Sequence, residues 1–542
     1  MTVLPTAVLM QRAQSRPEST AFVFQENVWT YQKLAQESER VARGLAASGV
    51  KAGDRVVLHM MNRPEMLIAY YACFRLGAIA APLRTAFKFA ELAPMLQRLQ
   101  PALYIGQSSL YPNVAAVNAA ILPRQKRVIL DDANGMHGVQ SWEALKQSAH
   151  ADLPIPASSE PAVLINTSGS TGQPKFVVHT QATLAAMTHL LCKHFGLSPD
   201  GVIVSPLQLA HGTGLFCSLS FVQTGVPFIM LQSADPDIVL DSIERYRATW
   251  LLGFPYQYAG LLEAQQAKPR DVSSLRVCLT GADACPVELQ KRVTAALRAP
   301  LYNVWGATEV AGQLTFGLQP GPVVRITEDA QIRLVDENGT DVAHGEIGEL
   351  LIRGQNVFVG YWNDPAATSQ SLKNGWYHTG DLMRRGEGDE LWFVSRKKDI
   401  IIRGGTNISP AEVEEALVAC HPAVEEAAAV GKPDPVLGQR LFGFIKLAAG
   451  AKESVVAEVL QNVAARLAPY KIPEGLRAID ALPRNALSKV DRRALERMIG
   501  EDESAGSRSE AAPSRAGGER LARRVALECN WKRRPRATSQ QS

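Results

Sequence analysis

The stretch AVLINTSGSTGQPKFVVHT, residues 162–180, places two apolar, strand-like runs on either side of a nine-residue loop, TSGSTGQPK (167–175). The loop carries four hydroxyls, two glycines and a single cation, Lys175. It is not a Walker A loop, which needs GxxxxGK[ST] opening directly into a helix. Lys175 is instead followed by a second apolar run, so the segment reads as a strand hairpin. A hairpin loop of this length can curl N–H groups and hydroxyls around one centre as an anion nest, suited to a pyrophosphate. On these residues alone, a plain Ser/Thr/Gly connector is the alternative.

Upstream, helical and strand patterns alternate. TYQKLAQESERVARGLAASGV (30–50) has helical spacing and ends at Gly49; DRVVLHM (54–60) reads as a buried strand. EMLIAYYACFRLGAIAAPL (65–83) is an apolar helix running into a strand, and RQKRVILDD (124–132) is another strand. The alternation resumes from 160 to about 320 and predicts an α/β fold of layered subdomains with largely parallel sheet. Residues 321–395 change to short strands split by Asn-Gly, Gly and Asp turns, a β-rich subdomain. Strand DIIIRGG (399–405) leads to NISPAEVEEALVAC, where Ser409, Pro410 and Glu412 make a capping-box helix start. A small C-terminal α+β domain follows and ends near residue 498. The expected division is 1–397, 398–498, and a basic, mostly disordered tail at 499–542.

A chain of 542 residues is too long for one hydrophobic core. Net charge is only +4, and residues 520–542 hold seven Lys or Arg against one Glu, so the body offers no basic face for nucleic acid. The seven cysteines (73, 192, 217, 278, 285, 420 and 529) show no zinc spacing and read as reduced thiols. The N-terminus has no signal-peptide pattern and no apolar run is long enough to span a membrane, so a cytoplasmic location is expected.

Three further stretches are weak singly. In NVWGATEV (303–310) a strand breaks at Gly306 and presents Thr308 beside Glu309, a hydroxyl for a phosphate oxygen and a carboxylate for Mg²⁺, or else an ordinary strand-end turn. In WYHTGDLM (376–383), Asp381 follows a glycine turn and could accept from a ribose diol. Lys489 in LPRNALSKVDRRAL (482–495) reads by itself as an exposed lysine.

Together these stretches resemble the adenylate-forming superfamily: acyl- and aryl-CoA synthetases, nonribosomal adenylation domains and luciferases. The resemblance covers about residues 10–498 and includes GEIGELLIRG (345–354), GYWNDPAAT (360–368), YHTGD (377–381) and SRKKDIIIRGGTNISPAEVE (395–414) in the family's order. It implies two half-reactions with ATP, Mg²⁺ and coenzyme A. A carboxylate attacks the α-phosphate to release pyrophosphate, and a thiol then takes the acyl group from the adenylate.

The resemblance further implies roles position by position. Thr167, Ser168, Gly169, Ser170, Thr171, Gly172 and Lys175 would cradle the β- and γ-phosphates. Thr308 would contact the α-phosphate and Glu309 the Mg²⁺. Trp305 stands where the family usually has a Tyr stacked near adenine. Gly281 and Ala282 would let adenine and acyl group approach the backbone. Asp381 would accept the ribose hydroxyls, and Arg396 would reach ribose or phosphate. Lys489, carried by a mobile small domain, would neutralise charge at the reacting carboxylate and α-phosphate, with Lys398 as hinge and Gly404–Gly405 lining the thiol tunnel after rotation. Three departures are Ser488, Ser395 and Thr406, where Gly, Gly and Glu are usual.

The acid pocket, by the same resemblance, is lined near 208–216, 253–258, 280–283 and 304–308, with His211 beside the carboxylate end. Apart from His211 these stretches hold no cation, and Asp283 is their only anion. An uncharged acyl body is therefore expected: a mainly apolar alicyclic, aryl or medium-chain monocarboxylic acid. The leading expectation is a carboxylate–CoA ligase, with an acyl-AMP ligase loading a carrier protein as the alternative. A homodimer is left open. Retention of Glu309, Asp381 and Lys489 argues against a silent binding homologue.

Overall fold

The computed structural model describes residues 3–133, 135–147, 153–167, 175–195, 197–281, 285–310, 315–316, 323–326, 331–388, 390–404, 406–434, 436–452, 454–485 and 489–506. Residues 1–492 form one compact unit. The second unit, 493–542, is described only through the helix Arg492–Gly506, which extends past the expected boundary at 498.

The predicted α/β alternation is present, and local chemistry explains its boundaries. Helix Tyr31–Ala47 starts at Thr30, whose hydroxyl accepts the Lys33 N–H at 3.2 Å. Helix Pro64–Leu76 has Pro at its first position and ends at Gly77, φ +76°. Eleven of its thirteen residues are buried, as expected of a helix that is apolar all round. Its Tyr70 hydroxyl donates to the Leu209 carbonyl at 2.8 Å, and its Phe74 carbonyl accepts from Gln181, binding segments far apart in sequence.

Two large sheets, as described, carry the chemistry. In the first, parallel strands Leu103–Gln107, Arg55–His59, Ile79–Pro82 and Pro161–Thr167 lie in that spatial order, and Lys175–Thr180 then pairs antiparallel with Pro161–Thr167. The last register pair is Thr167 with Lys175, so the quoted stretch is a hairpin closed at those two residues. In the second sheet, Ile203–Ser205, Trp250–Leu252, Val277–Gly281 and Leu301–Trp305 run parallel. Antiparallel strands then extend it through the β-rich region, where Trp376–Arg385 and Glu390–Arg396 pair Asp381 with Arg396.

The small C-terminal layer is a five-stranded sheet among the described residues, packed by helices Pro410–Cys420 and Val455–Ala464. Ser409 caps the first helix by accepting the Glu412 N–H. The reciprocal arm of the expected capping box is not made, because the Glu412 carboxylate pairs with Lys471 at 2.6 and 2.7 Å. No helix among the described residues is long and apolar enough to cross a membrane.

Candidate active site

A cavity of about 630 Å³ opens where the carboxyl ends of strands from both large sheets meet the β-rich region and the loop bearing Lys489. Its lining includes Thr167, Lys175, His211, Gly281, Thr308, Glu309, Asp381, Arg396, Lys398 and Lys489. Residues separated by more than 300 positions are thus brought to one space. Ser168, Gly169, Ser170, Thr171, Gly172, Ala282 and Gly405 lie outside the described residues, as does Ser488. Gly404, φ +56°, sits on the small domain's hairpin and is not part of this lining.

Thr308 and Glu309 sit on a short 3₁₀ turn after strand Leu301–Trp305. His179 holds the turn from behind: its Nε2 lies 2.7 Å from the Thr308 carbonyl. Burial depresses the His179 pKa to about 4, so the ring is neutral at physiological pH, and its Nε2–H is the donor to that carbonyl. The Tyr361 hydroxyl donates to Glu309 Oε1 at 2.9 Å, and the Phe358 N–H donates to the Glu309 carbonyl at 2.7 Å. The Lys175 ammonium lies 4.8 Å from the Tyr361 ring centroid, which ties the loop cation to the same support.

Gly380, φ +71°, makes the tight turn that delivers Asp381. Asp381 is 9% exposed and accepts from the Trp305 indole N–H at 2.8 Å, with Arg396 Nε 3.6 Å from its other oxygen. Burial raises the Asp381 pKa, while Arg396, Trp305 and Lys489 pull it back down. Trp305 is itself 9% exposed and is not among the lining residues; it belongs to the buried cluster that also holds Val177, Phe358 and Tyr361. The residue expected to stack near adenine here orients a carboxylate.

Gly281 is required by space. A Cβ there would lie 2.5 Å from the Val304 carbonyl oxygen. Ser395, in a usual glycine position, is buried beside a register shift of its strand pair and donates to the Arg396 carbonyl at 3.2 Å. Thr406 is exposed on the small domain. Lys398 lies in the turn between strands Glu390–Arg396 and Ile401–Arg403, a short link between the two domains.

One part of the lining is apolar and aromatic and includes Leu191, Leu207, Phe216, Leu252 and Phe254. His211 caps helix Gly212–Thr224, its Nδ1 accepting the Thr213 N–H at 3.2 Å, and its ring meets Phe254 edge-on at 5.7 Å. Burial first, then Arg84 and Lys489, push its pKa well below the ordinary range. The ring is therefore neutral, with its proton on Nε2.

The polar lining fits a nucleotide. Asn166 Oδ1 and Thr280 Oγ1 are buried polar atoms of lining residues with no hydrogen-bond partner among the described residues, and a ligand would satisfy them. The residues also fit Mg²⁺ bound in company with phosphates. Among the described residues no cluster of three His, Cys, Asp or Glu forms a closed metal cage. A single carboxylate, Glu309, braced through one oxygen, is the donor set Mg²⁺ takes when phosphates and water complete its octahedron.

His179, Tyr361 and Arg84 were not singled out from sequence. His179 is hidden as one polar residue in an apolar strand, FVVHT. Tyr361 lies within a quoted motif that gave no role. Arg84 follows a strand of the first sheet, remote in sequence from the other lining segments.

Comparison with known proteins agrees with this geometry. Residues 9–362 match the family model for AMP-binding enzymes, and residues 412–489 that for the AMP-binding enzyme C-terminal domain. The chain is 32% identical over 504 residues to an indoleacetate–CoA ligase of Aromatoleum aromaticum, covering 90% of this chain and 97% of that protein. It is 29% identical to a medium-chain fatty-acid–CoA ligase of Escherichia coli, covering 90% and 89%. The solved O-succinylbenzoate coenzyme A synthetase of Bacillus subtilis, in complex with ATP and magnesium ion, superposes with a TM-score of 0.77 at 30% identity, covering 90% of this chain and 99% of that one.

Proposed function

The chain belongs to the AMP-binding enzyme family as an AMP-forming carboxylate–CoA ligase, and we propose that it activates an acid with a mainly apolar alicyclic, aryl or medium-chain body. The observation that carries this reading is the single cavity in which Lys175, Thr308, Glu309, Asp381, Arg396 and Lys489 adjoin an apolar, aromatic wall.

Each group has a task there. Asp381, oriented by Trp305, accepts from the ribose hydroxyls. Thr167 and Lys175 hold the β- and γ-phosphates, and Thr308, fixed by His179, donates to the α-phosphate. Mg²⁺, held by Glu309, would supply charge neutralisation at the phosphates. The substrate carboxylate oxygen attacks the α-phosphorus, and the bond to the β-phosphate oxygen breaks with pyrophosphate leaving. Lys489 and the His211 Nε2–H meet the negative charge where carboxylate and phosphate join. One well-placed donor contributes about 3 kcal/mol to such a transition state. In the second half-reaction the CoA thiolate attacks the acyl carbon, the acyl–phosphate bond breaks, and AMP leaves.

The test is release of pyrophosphate from MgATP with a panel of carboxylic acids, followed by thioester formation with CoA. Acid-dependent pyrophosphate and AMP release with a thioester product is the expected result. Pyrophosphate release that depends on no acid would end the reading. An adenylate that acylates an acyl carrier protein but never CoA would replace the acceptor.

A further inference from the structure

Asn62 stands in the turn between strand Arg55–His59 and helix Pro64–Leu76, where a polar residue ordinarily faces water or caps the helix that follows. It does neither. The helix starts from Arg63 with no side-chain cap, and Asn62 is turned inward, 5% exposed. Its amide reaches into the second large sheet. Nδ2 donates to the carbonyls of Leu207 and Leu231, both at 2.8 Å, and Oδ1 accepts the Leu209 N–H at 2.7 Å. Leu207 and Leu231 lie just past strands Ile203–Ser205 and Phe228–Met230, beyond their last register pair, Ser205 with Met230. Tyr70, on the helix that follows Asn62, donates its hydroxyl to the Leu209 carbonyl at 2.8 Å. Both backbone groups of Leu209 are thus held by side chains of one strand–turn–helix unit of the first sheet.

We propose that Asn62 and Tyr70 are positioning residues for the acid: they fix the segment that carries Leu207 and His211, and so set how sharply the cavity discriminates between acyl bodies. The assignment rests on the ligase reading above and deepens it.

The held segment, residues 207–211, is one wall of the cavity, since Leu207 and His211 both line it. Between them the His211 N–H returns to the Gln208 carbonyl at 2.9 Å. That carbonyl in turn leaves no space beside Gly214 on the next helix, where a Cβ would lie 2.1 Å from it. Two donors and one acceptor on one planar group define an amide. A carboxylate offers no N–H to the two carbonyls, and a hydroxyl offers only one donor. Buried backbone groups left without these partners would pull the segment toward another arrangement. A misplacement of about 1 Å set off far from the chemistry can cost about 100-fold in rate. Neither Asn62 nor Tyr70 is among the lining residues, and these hydrogen bonds end on residues 207, 209 and 231. The groups assigned to the nucleotide are held by other side chains: Thr308 by His179, Glu309 by Tyr361 and Asp381 by Trp305. Acid binding and ATP binding are therefore separable through this pair.

The experiment compares the full chain as wild type, Tyr70→Phe and Asn62→Asp, with MgATP and a graded panel of acids: butanoate, hexanoate, octanoate, benzoate and phenylacetate. Acid-dependent pyrophosphate release gives kcat and KM for each acid, and calorimetry gives the dissociation constant of ATP. Tyr70→Phe removes one oxygen and keeps the ring, so it decides the outcome even where Asn62→Asp does not fold. It is expected to raise KM for the preferred acid about three- to tenfold, to change ATP affinity less than about twofold, and to narrow the spread of kcat/KM across the panel. Asn62→Asp keeps the shape but has no N–H to offer, and its shift in acid KM should be larger, about tenfold or more. A purely structural role would reduce the folded fraction, which lowers kcat for every acid by one factor and leaves each KM and the spread unchanged. That pattern would overturn the proposal, as would equal weakening of ATP and acid binding. Wild type that releases pyrophosphate with none of the acids would refute the ligase reading itself, a different result from either.

Discussion

Trp305→Phe separates two jobs for one aromatic ring. If the ring stacks near adenine, phenylalanine keeps a stacking face and ATP binding changes little. The structure instead has the indole N–H donating to Asp381 at 2.8 Å inside a site where both residues are 9% exposed. Hydrogen bonds to charged groups contribute about 1.5–3 kcal/mol. At 1.4 kcal/mol per tenfold, the ceiling on lost ATP affinity is roughly 10- to 100-fold. Free enzyme loses the bond too, so only the share that orients Asp381 toward ribose appears in binding, and about tenfold in KM for ATP is expected. Removing the donor also removes one of the influences that lower the Asp381 pKa against burial. The acid limb of ATP affinity therefore moves to higher pH in Trp305→Phe. The assay is acid-dependent pyrophosphate release at varied ATP from pH 5 to 8, with urea unfolding of each variant as the control for packing loss. Unchanged KM for ATP with an unmoved acid limb would refute the orienting role.

Lys489→Ala is expected to cut adenylate formation at least 100-fold while thioester formation from a supplied acyl-adenylate falls far less; equal loss in both would contradict its role. Gly281→Ala places a Cβ 2.5 Å from the Val304 carbonyl, so ATP binding should weaken at least tenfold with strand Val277–Gly281 displaced, and wild-type ATP affinity would disprove the close approach. Burial depresses both His59 and His179 to about 4 from 6.5. The unfolded rings take up protons from about pH 6.5 while the folded rings refuse them, so this stability is complete above pH 6.5 and is lost as pH falls toward 4. The slope is about 1.4 kcal/mol per pH unit for each ring, and urea midpoints that stay flat from pH 6.5 to 5 would count against it.

The site was legible where local chemistry and chemical role coincide. Lys175 closes a hairpin because two apolar runs flank a loop of hydroxyls and glycines, and both facts are contiguous in sequence. Asp381 and Arg396 were each visible, but their pairing needed the register of two antiparallel strands. Trp305 could be placed beside the nucleotide, yet whether a ring turns its face or its N–H toward the site depends on what packs behind it. The buried cluster that holds Trp305 draws Val177, Phe358 and Tyr361 from other segments. Arg84 was invisible for the strongest version of that reason. It follows a strand of the first sheet, and only the meeting of two sheets brings it to His211 on a helix of the second. Sequence patterning specifies which face of an element is buried and is silent on which distant element buries it.

The contacts that hold Lys489 in the cavity bear on the proposed rotation of the small domain. The lysine's own backbone is well fixed: its N–H and carbonyl both pair with Asn485, at 3.3 and 2.9 Å, and Arg484 bridges Val490. Among the described residues the small domain meets the large one through polar contacts that include the Ser409 hydroxyl donating to the Val394 carbonyl at 2.5 Å. Both Glu415 oxygens accept the Val287 N–H at the start of helix Val287–Leu297, the Arg484 guanidinium lies 4.6 Å from the Tyr256 ring, and Lys446 reaches Glu263 at 3.5 Å. A helix cap, a cation–π contact and an exposed ion pair contribute about 0.5–2, 0.5–2 and 0–1 kcal/mol respectively. Burial raises the Glu415 pKa, so releasing this carboxylate to water recovers hydration and lowers the cost of parting. Lys446 keeps Glu425 and Arg484 keeps Glu426 within the small domain when the cross-contacts break. A swing of about 5.5 kcal/mol takes a two-state equilibrium from 1:99 to 99:1, the same order as these contacts together. If the small domain rotates as the resemblance implies, exchanging triphosphate for adenylate beside Lys489 would change the charge facing that lysine, and occupancy of the cavity would then bias which arrangement the small domain takes.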